Sequence, residues 1–95
     1  MFARVSTFRT GPETPPSPPE EQARKVLEMP GCRGLYFLKG KESGKSLAIT
    51  LWDSEEAMTA SRQAADKLRA QLSSDSKMEI VGVEEFEVTA SDIPA

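Results

Sequence analysis

The 95-residue sequence contains no histidine and a single cysteine, Cys32. Without histidine the chain lacks the commonest general base and the commonest metal ligand, and it cannot build a Ser-His-Asp or Cys-His catalytic site on its own. A lone cysteine cannot form an internal disulfide bond, so we expect Cys32 to be an inert, small apolar residue. The acidic residues Glu84, Glu85 and Glu87 alternate between the two faces of a predicted strand and form no convergent cluster. We therefore expect a protein without metal, haem or other cofactor.

The chain also lacks an excess of basic residues, a signal-peptide pattern in its first residues and a long apolar run. Its formal net charge is −3 and its pI is about 5.0, which argues against binding to the phosphate backbone of nucleic acids. Residues 1–4 lack the charged-then-apolar pattern of a signal peptide, and no apolar run approaches the length of a membrane span. We expect a cytoplasmic protein that binds neither nucleic acid nor membrane.

Prolines are concentrated in residues 11–19, which hold five of the seven prolines in the chain. Because proline fixes φ and has no N–H, this segment is expected to be a stiff surface loop of polyproline-like conformation. A proline-rich recognition ligand is the alternative, but no flanking basic residue supports it.

Residues 90–95 are expected to form a flexible tail. The remaining length fits a single domain over 2–89, and its hydrophobic content of 38% favours further burial in an oligomer.

Hydrophobic patterning predicts four strands and two helices in the order β-α-β-β-α-β. The strands are predicted over 2–9, 33–39, 46–52 and 78–88, and the helices over 19–28 and 53–72. This is the order of the ferredoxin-like fold, an α+β fold with a four-stranded antiparallel sheet and two helices on one face. The second and third strands are apolar on both faces, whereas the helices cover one face only. A second copy of the sheet is the simplest cover for the other face, so we expect a homodimer.

The helices are predicted in more detail from spacing and capping. Asp53 is expected to be the N-cap of the second helix, with Glu56 completing a capping box. The inner side of the first helix is predicted to consist of Ala23, Val26 and Leu27, and that of the second of Ala57, Ser61, Ala64, Ala65, Leu68 and Leu72. Arg62, Asp66 and Arg69 are placed on the solvated side of the second helix.

Two charged residues interrupt apolar strand faces and are expected to pair with each other. Alignment of Phe8 with Ile80 and of Phe2 with Phe86 places Arg4 opposite Glu84 on neighbouring antiparallel strands. The pair is interpreted as a structural ion pair across the strands or, alternatively, as a polar anchor for a ligand.

Two segments of the sequence resemble the antibiotic biosynthesis monooxygenase-like domains of the dimeric α+β barrel superfamily. They are residues 30–35 (PGCRGL), which enter the second strand, and residues 51–57 (LWDSEEA), which leave the third; the resemblance extends over 2–89. It implies a dimeric α+β barrel. It does not fix an activity, because the superfamily includes oxygenases, haem degraders, isomerases and dismutases.

The resemblance carries over to individual residues only in part. Trp52 matches a tryptophan that the oxygenases and haem degraders of the superfamily often use. Where they often use an asparagine in the first strand, this chain offers Ser6 or Thr7. The histidine that binds haem iron in the degraders has no counterpart, so haem degradation by that route is not expected.

The sequence leaves two functional hypotheses, and both use a cleft between the sheet and the helices. Its ligand-binding candidates are Trp52, Thr50, Ser6, Thr7, Arg4 and Glu84. Trp52 is equally well interpreted as a core residue. The first hypothesis is a dimeric module that binds a small apolar or aromatic ligand without strong catalytic residues. The alternative is a cofactor-independent monooxygenase for a small aromatic or polyketide-like substrate. A deep cavity with polar lining favours the enzyme, and a cleft filled by Leu27, Trp52, Leu68 and Leu72 favours the module.

Overall fold

Four strands and three helices follow one another in the computed structural model, which describes residues 1–92. They are β1 (Phe2–Arg9), α1 (Glu20–Leu27), β2 (Cys32–Lys39), β3 (Lys45–Trp52), α2 (Glu55–Ala60), α3 (Arg62–Asp75) and β4 (Glu79–Glu87). The strands form one antiparallel sheet in the order β2-β3-β1-β4. The predicted ferredoxin-like fold is therefore confirmed, with its second helix in two pieces. Of the predicted tail, residues 90–92 have no regular structure and residues 93–95 lie outside the described residues.

The sheet has one face toward the helices and one open face, and β1 shows why. Arg4, Ser6 and Phe8 alternate with Val5 and Thr7, and the first three are buried beneath the helices while the other two are only partly covered. This division of β1 is the one that the period-two pattern predicts. Large apolar side chains on the open face remain exposed, among them Tyr36 and Leu38 of β2 and Phe86 of β4.

The N-cap of α2 is Ser54, so the prediction of Asp53 as N-cap is wrong. Ser54 has an extended backbone, and its Oγ accepts a hydrogen bond from the N–H of Ala57 at 3.1 Å. Asp53 is held one residue earlier in the turn, because its N–H donates to the carbonyl of Gly31 at 2.9 Å and its carboxylate pairs with Arg33. With the cap moved by one residue, Glu56 no longer occupies the capping-box position.

The predicted single helix over 53–72 is interrupted at Ser61 and continues to Asp75. In a continuous α-helix the Met58 carbonyl would accept the N–H of residue 62. Here it accepts instead from the Ser61 hydroxyl at 2.7 Å and from Arg4 Nη2 at 2.7 Å. The interruption therefore coincides with the point where the Arg4 side chain enters the helix layer. It also turns Ala64, predicted as an inner residue, to the solvent.

The capping assignment can be tested with two neighbouring alanine substitutions. Ser54→Ala should lower the free energy of unfolding by about 1 kcal/mol, because it leaves an N-terminal N–H of α2 without its acceptor. Asp53→Ala removes only an exposed ion pair and should cost less than about 0.5 kcal/mol. Urea unfolding of both variants at one protein concentration measures the difference. A larger loss for Asp53→Ala than for Ser54→Ala would show that the cap is misassigned.

Candidate ligand-binding site

A cavity of about 70 Å³ lies between the helix-facing side of the sheet and the helices α1 and α3. Most of its surface is apolar. The apolar side chains that form it include Phe8, Leu35 and Phe37 from the sheet and Val26, Leu68 and Leu72 from the helices. Of the four residues predicted to fill this cleft, Leu27 is exposed and Trp52 lies outside the lining. The cleft is therefore not filled in the predicted way.

Two hydroxyl groups from the central strands contribute polar atoms to the cavity. Ser6 Oγ accepts a hydrogen bond from Arg69 Nε at 2.9 Å, and Thr50 Oγ1 accepts one from Trp52 Nε1 at 2.9 Å. Both residues line the cavity and both were predicted as ligand-binding candidates. Because each oxygen already accepts from a nitrogen donor, its own hydrogen is left to donate to a ligand.

Gln22 is a cavity residue that the sequence analysis missed. Its side chain is buried, with 8% exposure, and its Nε2 donates to Asp75 Oδ2 at 3.0 Å. Its Oε1 is buried and has no hydrogen-bond partner among residues 1–92. The spacing of four residues between Gln22 and Val26 was the available signal, because it places both on one helix face.

Arg69 also lines the cavity, so its prediction as a solvated residue is wrong. Its side chain is only 10% exposed, and it donates to Ser6 and, through Nη1 at 2.6 Å, to Asp66. Arg69 is adjacent to Leu68 in the apolar stripe, and a long side chain can cover apolar surface while its charged end reaches a partner. The arginine at the cavity is therefore Arg69.

Arg4 makes a different set of contacts, beside the cavity rather than in it. Its guanidinium donates to Glu85 Oε2 at 3.0 and 3.2 Å, to Ser61 Oγ at 3.1 Å and to the Met58 carbonyl. It also lies over the ring of Trp52, 5.5 Å from the centroid. Trp52 has 0% exposure and packs in the core. With its donors engaged, Arg4 is poorly placed to anchor an anionic ligand.

The predicted pairing of Arg4 with Glu84 is wrong because β4 contains an irregularity. Phe8 is opposite Ile80, as predicted, but Thr7 is opposite Gly82, which leaves one extra residue in β4 between these pairs. The extra residue shifts the rest of the strand by one position, so Arg4 faces Glu85.

The same shift places Glu84 opposite Val5 on the open face of the sheet, where Thr7 also lies. Of the six candidates, Ser6 and Thr50 thus line the cavity, Arg4 and Trp52 lie beside it, and Thr7 and Glu84 are on the other face. Their roles in ligand binding stay predictions.

Glu85 is the acidic centre of the Arg4 contacts. Its pKa is lowered to about 2, first by the hydrogen bonds from Arg62 and then by those from Arg4, while burial acts in the opposite direction. The shorter Arg62 contact joins Nη2 to Oε1 at 2.5 Å. In turn, Glu85 raises the pKa of Arg62. The carboxylate is therefore ionised in all but strongly acidic solution.

Comparison with known proteins assigns the chain to a family. Residues 20–72 match the antibiotic biosynthesis monooxygenase family, and this segment is more than half of the 95 residues. The chain belongs to that family. Two uncharacterised proteins from two strains of Mycobacterium tuberculosis are each 36% identical to it in a 66-residue alignment. The alignment covers 65% of this chain and 27% of theirs. The match thus spans about a quarter of the length of these curated relatives.

Crystal structures with the same fold cover the whole chain. A candidate antibiotic biosynthesis monooxygenase from Deinococcus radiodurans superposes with a TM-score of 0.66 at 13% identity, over 100% of this chain and 99% of that one. An MhuD mutant with two manganese protoporphyrin IX molecules bound per active site superposes with a TM-score of 0.54 at 20% identity, over 100% of both chains. At sequence identities this low, the similarity shows a shared fold and no shared function. Within residues 1–92, no helix is both long enough and apolar enough to cross a membrane.

A porphyrin does not fit the residues of this chain. The cavity of about 70 Å³ is far smaller than a porphyrin macrocycle, and the sequence contains no histidine to bind its iron. In the described part of the chain, no three His, Cys, Asp or Glu side chains are grouped so as to hold a metal ion. Cys32 is a free, partly buried thiol at the start of β2.

The low pKa of Glu85 predicts a specific loss of stability in acid. A lowered folded-state pKa stabilises the protein above the unfolded-state value near 4.5, and this contribution disappears as the pH falls from there to about 2. Glu85→Gln should remove up to about 3 kcal/mol of the pH-dependent stability in this range. Urea unfolding between roughly pH 1.5 and pH 7, which brackets both pKa values, measures the slope.

Glu42→Gln is the matched control, because it removes the same charge from an exposed position in the loop between β2 and β3. It should keep the wild-type dependence of stability on pH. Equal effects of the two substitutions would contradict the pairing of Arg4 with Glu85.

Proposed function

We propose that the chain is a small-molecule-binding module that takes a small, mostly apolar ligand into the cavity beneath α1 and α3. The observation that carries this proposal is an apolar cavity into which a few polar groups converge, namely Ser6, Thr50, Gln22 and Arg69. Such a composition is typical of ligand pockets.

Binding without strong catalysis is favoured by the chemistry of the lining. Among the described residues that form the cavity, Arg69 is the one ionisable side chain, and its guanidinium is already paired. No carboxylate, histidine or thiol of that lining is placed to act as a general base. The cavity therefore offers orientation and an apolar environment more than proton transfer.

The size of the cavity implies that α1 moves when a larger ligand enters. A dry cavity of roughly 150 Å³ is known to hold benzene in another protein, and the cavity here is about 70 Å³. Helix α1 has eight residues, of which Gln22 alone is buried. Because so little of α1 is anchored, its outward displacement is the least costly way to enlarge the cavity.

The proposed working form is a homodimer in the cytoplasm, assembled through the open face of the sheet. Three large side chains on that face, Tyr36, Leu38 and Phe86, are between 45 and 50% exposed. Leu47, Ile49 and Leu51 of β3 alternate onto the same face and are only partly covered. Burial of such a patch against a second copy supplies the apolar area that one small chain lacks. Thr7 and Glu84 would then lie at the interface.

A cofactor-independent monooxygenase is the second candidate, favoured by the hydrogen bond from Trp52 to the cavity residue Thr50. That bond links the indole to the cavity wall, and the family is named for this activity. Oxygen uptake in the presence of an electron-rich phenol would establish this function. Stable ligand binding without oxygen uptake supports the binding module.

Occupation of the cavity is tested with toluene and one space-filling substitution. Toluene should bind the wild-type protein, as seen by ligand-observed NMR, and Ala23→Leu should weaken this binding at least about tenfold because the new side chain fills the cavity. Ala70→Leu, at an exposed position of α3, is the control and should leave binding unchanged. Failure of the wild-type protein to bind either toluene or phenol, or equal binding of toluene by Ala23→Leu, overturns the proposal.

Assembly through the open face is tested with two leucines of similar exposure. Sedimentation equilibrium at micromolar concentration should give about twice the chain mass of 10.4 kDa. Leu38→Lys, on the open face and 45% exposed, should produce a monomer, since a charge is placed in the buried interface. Leu27→Lys, on α1 and 49% exposed, should remain dimeric. A monomeric wild-type protein, or a dimeric Leu38→Lys variant, contradicts this arrangement.

A further inference from the structure

The amide of Gln22 is fixed in one orientation by its neighbour Asp75. Nε2 donates to Asp75 Oδ2 at 3.0 Å. An ionised carboxylate accepts hydrogen bonds and has no hydrogen to donate. The reversed amide would place two acceptors against each other. The Oε1 assignment therefore follows from the chemistry of the pair, and Oε1 is the atom left over on this cavity-lining residue.

This Oε1 is a buried acceptor without a partner in the described part of the chain. Buried polar groups are satisfied in the great majority of cases, and an exception in a ligand cavity points to a missing donor. The other side chains of the described lining do not supply it. Arg69 uses Nε on Ser6 and Nη1 on Asp66, and the remaining lining is largely apolar.

We infer that Gln22 is the specificity-determining residue of the cavity and that it selects ligands carrying an O–H or N–H donor. This inference rests on the proposed binding function and narrows its ligand class. The hydroxyls of Ser6 and Thr50 are able to donate to an oxygen of the ligand. One ligand hydroxyl can therefore accept from such a hydroxyl and donate to Gln22 Oε1. The selected class is a small, mostly apolar alcohol, phenol or N–H heterocycle.

An apolar cavity without an acceptor has the opposite preference. Removing a hydroxyl from water without giving it a partner is unfavourable, so such a cavity binds toluene more tightly than phenol. A cavity in which Gln22 Oε1 accepts from the ligand reverses this order. The comparison of the two probes therefore reports on the acceptor rather than on the space available, because phenol and toluene have nearly the same shape.

The first measurement uses the wild-type protein with phenol, toluene and fluorobenzene as probes. Phenol should bind at least about threefold more tightly than either of the other two, which bracket its size and have no donor. Equal or weaker binding of phenol shows that Oε1 is satisfied in another way, for example by a water molecule. That result overturns the inference while leaving the proposed function intact. Failure of all three probes to bind overturns both.

The second measurement compares Gln22→Met with Gln71→Met, which makes the same change at an exposed position of α3. Gln22→Met should lose the preference for phenol and keep or improve the binding of toluene. Gln71→Met should retain the wild-type order of affinities. A phenol preference that survives in a folded Gln22→Met variant contradicts the inference. If Gln22→Met does not fold, the wild-type probe series decides the question by itself.

Discussion

A guanidinium buried between the sheet and the helices constrains much of this structure. Arg4 projects from a central strand, and its charge requires partners because the surrounding layer excludes water. Glu85 supplies the counter-charge from β4, while Met58 and Ser61 supply oxygens from the interrupted helix. The edge strand, the central strand and the break between α2 and α3 are thereby held to one another by a single side chain. Loss of Glu85 would leave the buried charge of Arg4 without a counter-charge, whereas loss of Arg4 would leave Glu85 paired with Arg62.

The same network separates the charged part of the helix-facing layer from its ligand-binding part. Arg4 and Trp52 stack beside the cavity and have their polar atoms engaged, so they support the residues that line it rather than contact a ligand. The polar groups left for the cavity are neutral or already neutralised. A site of this kind discriminates between ligands by shape and by single hydrogen bonds, which is a physical reason to expect binding of uncharged molecules.

The strands and their faces were predictable from the sequence, whereas the details that create the site were not. Alternation along β1 placed Arg4, Ser6 and Phe8 on one face, because a strand has a fixed period of two. The register of β4 was missed because an uninterrupted strand was assumed, although Gly82, beside the extra residue, is of a type that often marks a bulge. The burial of Arg69 and Gln22 was missed for another reason. Polar side chains are assigned to solvent by default, and their burial depends on partners from distant elements.

The two faces of the sheet are connected through the backbone of its central strands. Ser6 and Thr50 face the cavity, and their neighbours Thr7 and Ile49 face the other side. A displacement of the strand backbone therefore moves side chains on both faces. Packing on the open face would restrain the strands that position the two hydroxyls. The opposite wall includes α1, which is short and in which Gln22 is the buried residue. In the proposed homodimer, assembly would act on the sheet side of the cavity, and ligand size would act on α1. Gln22 would then belong to the wall that moves and would also select the ligand.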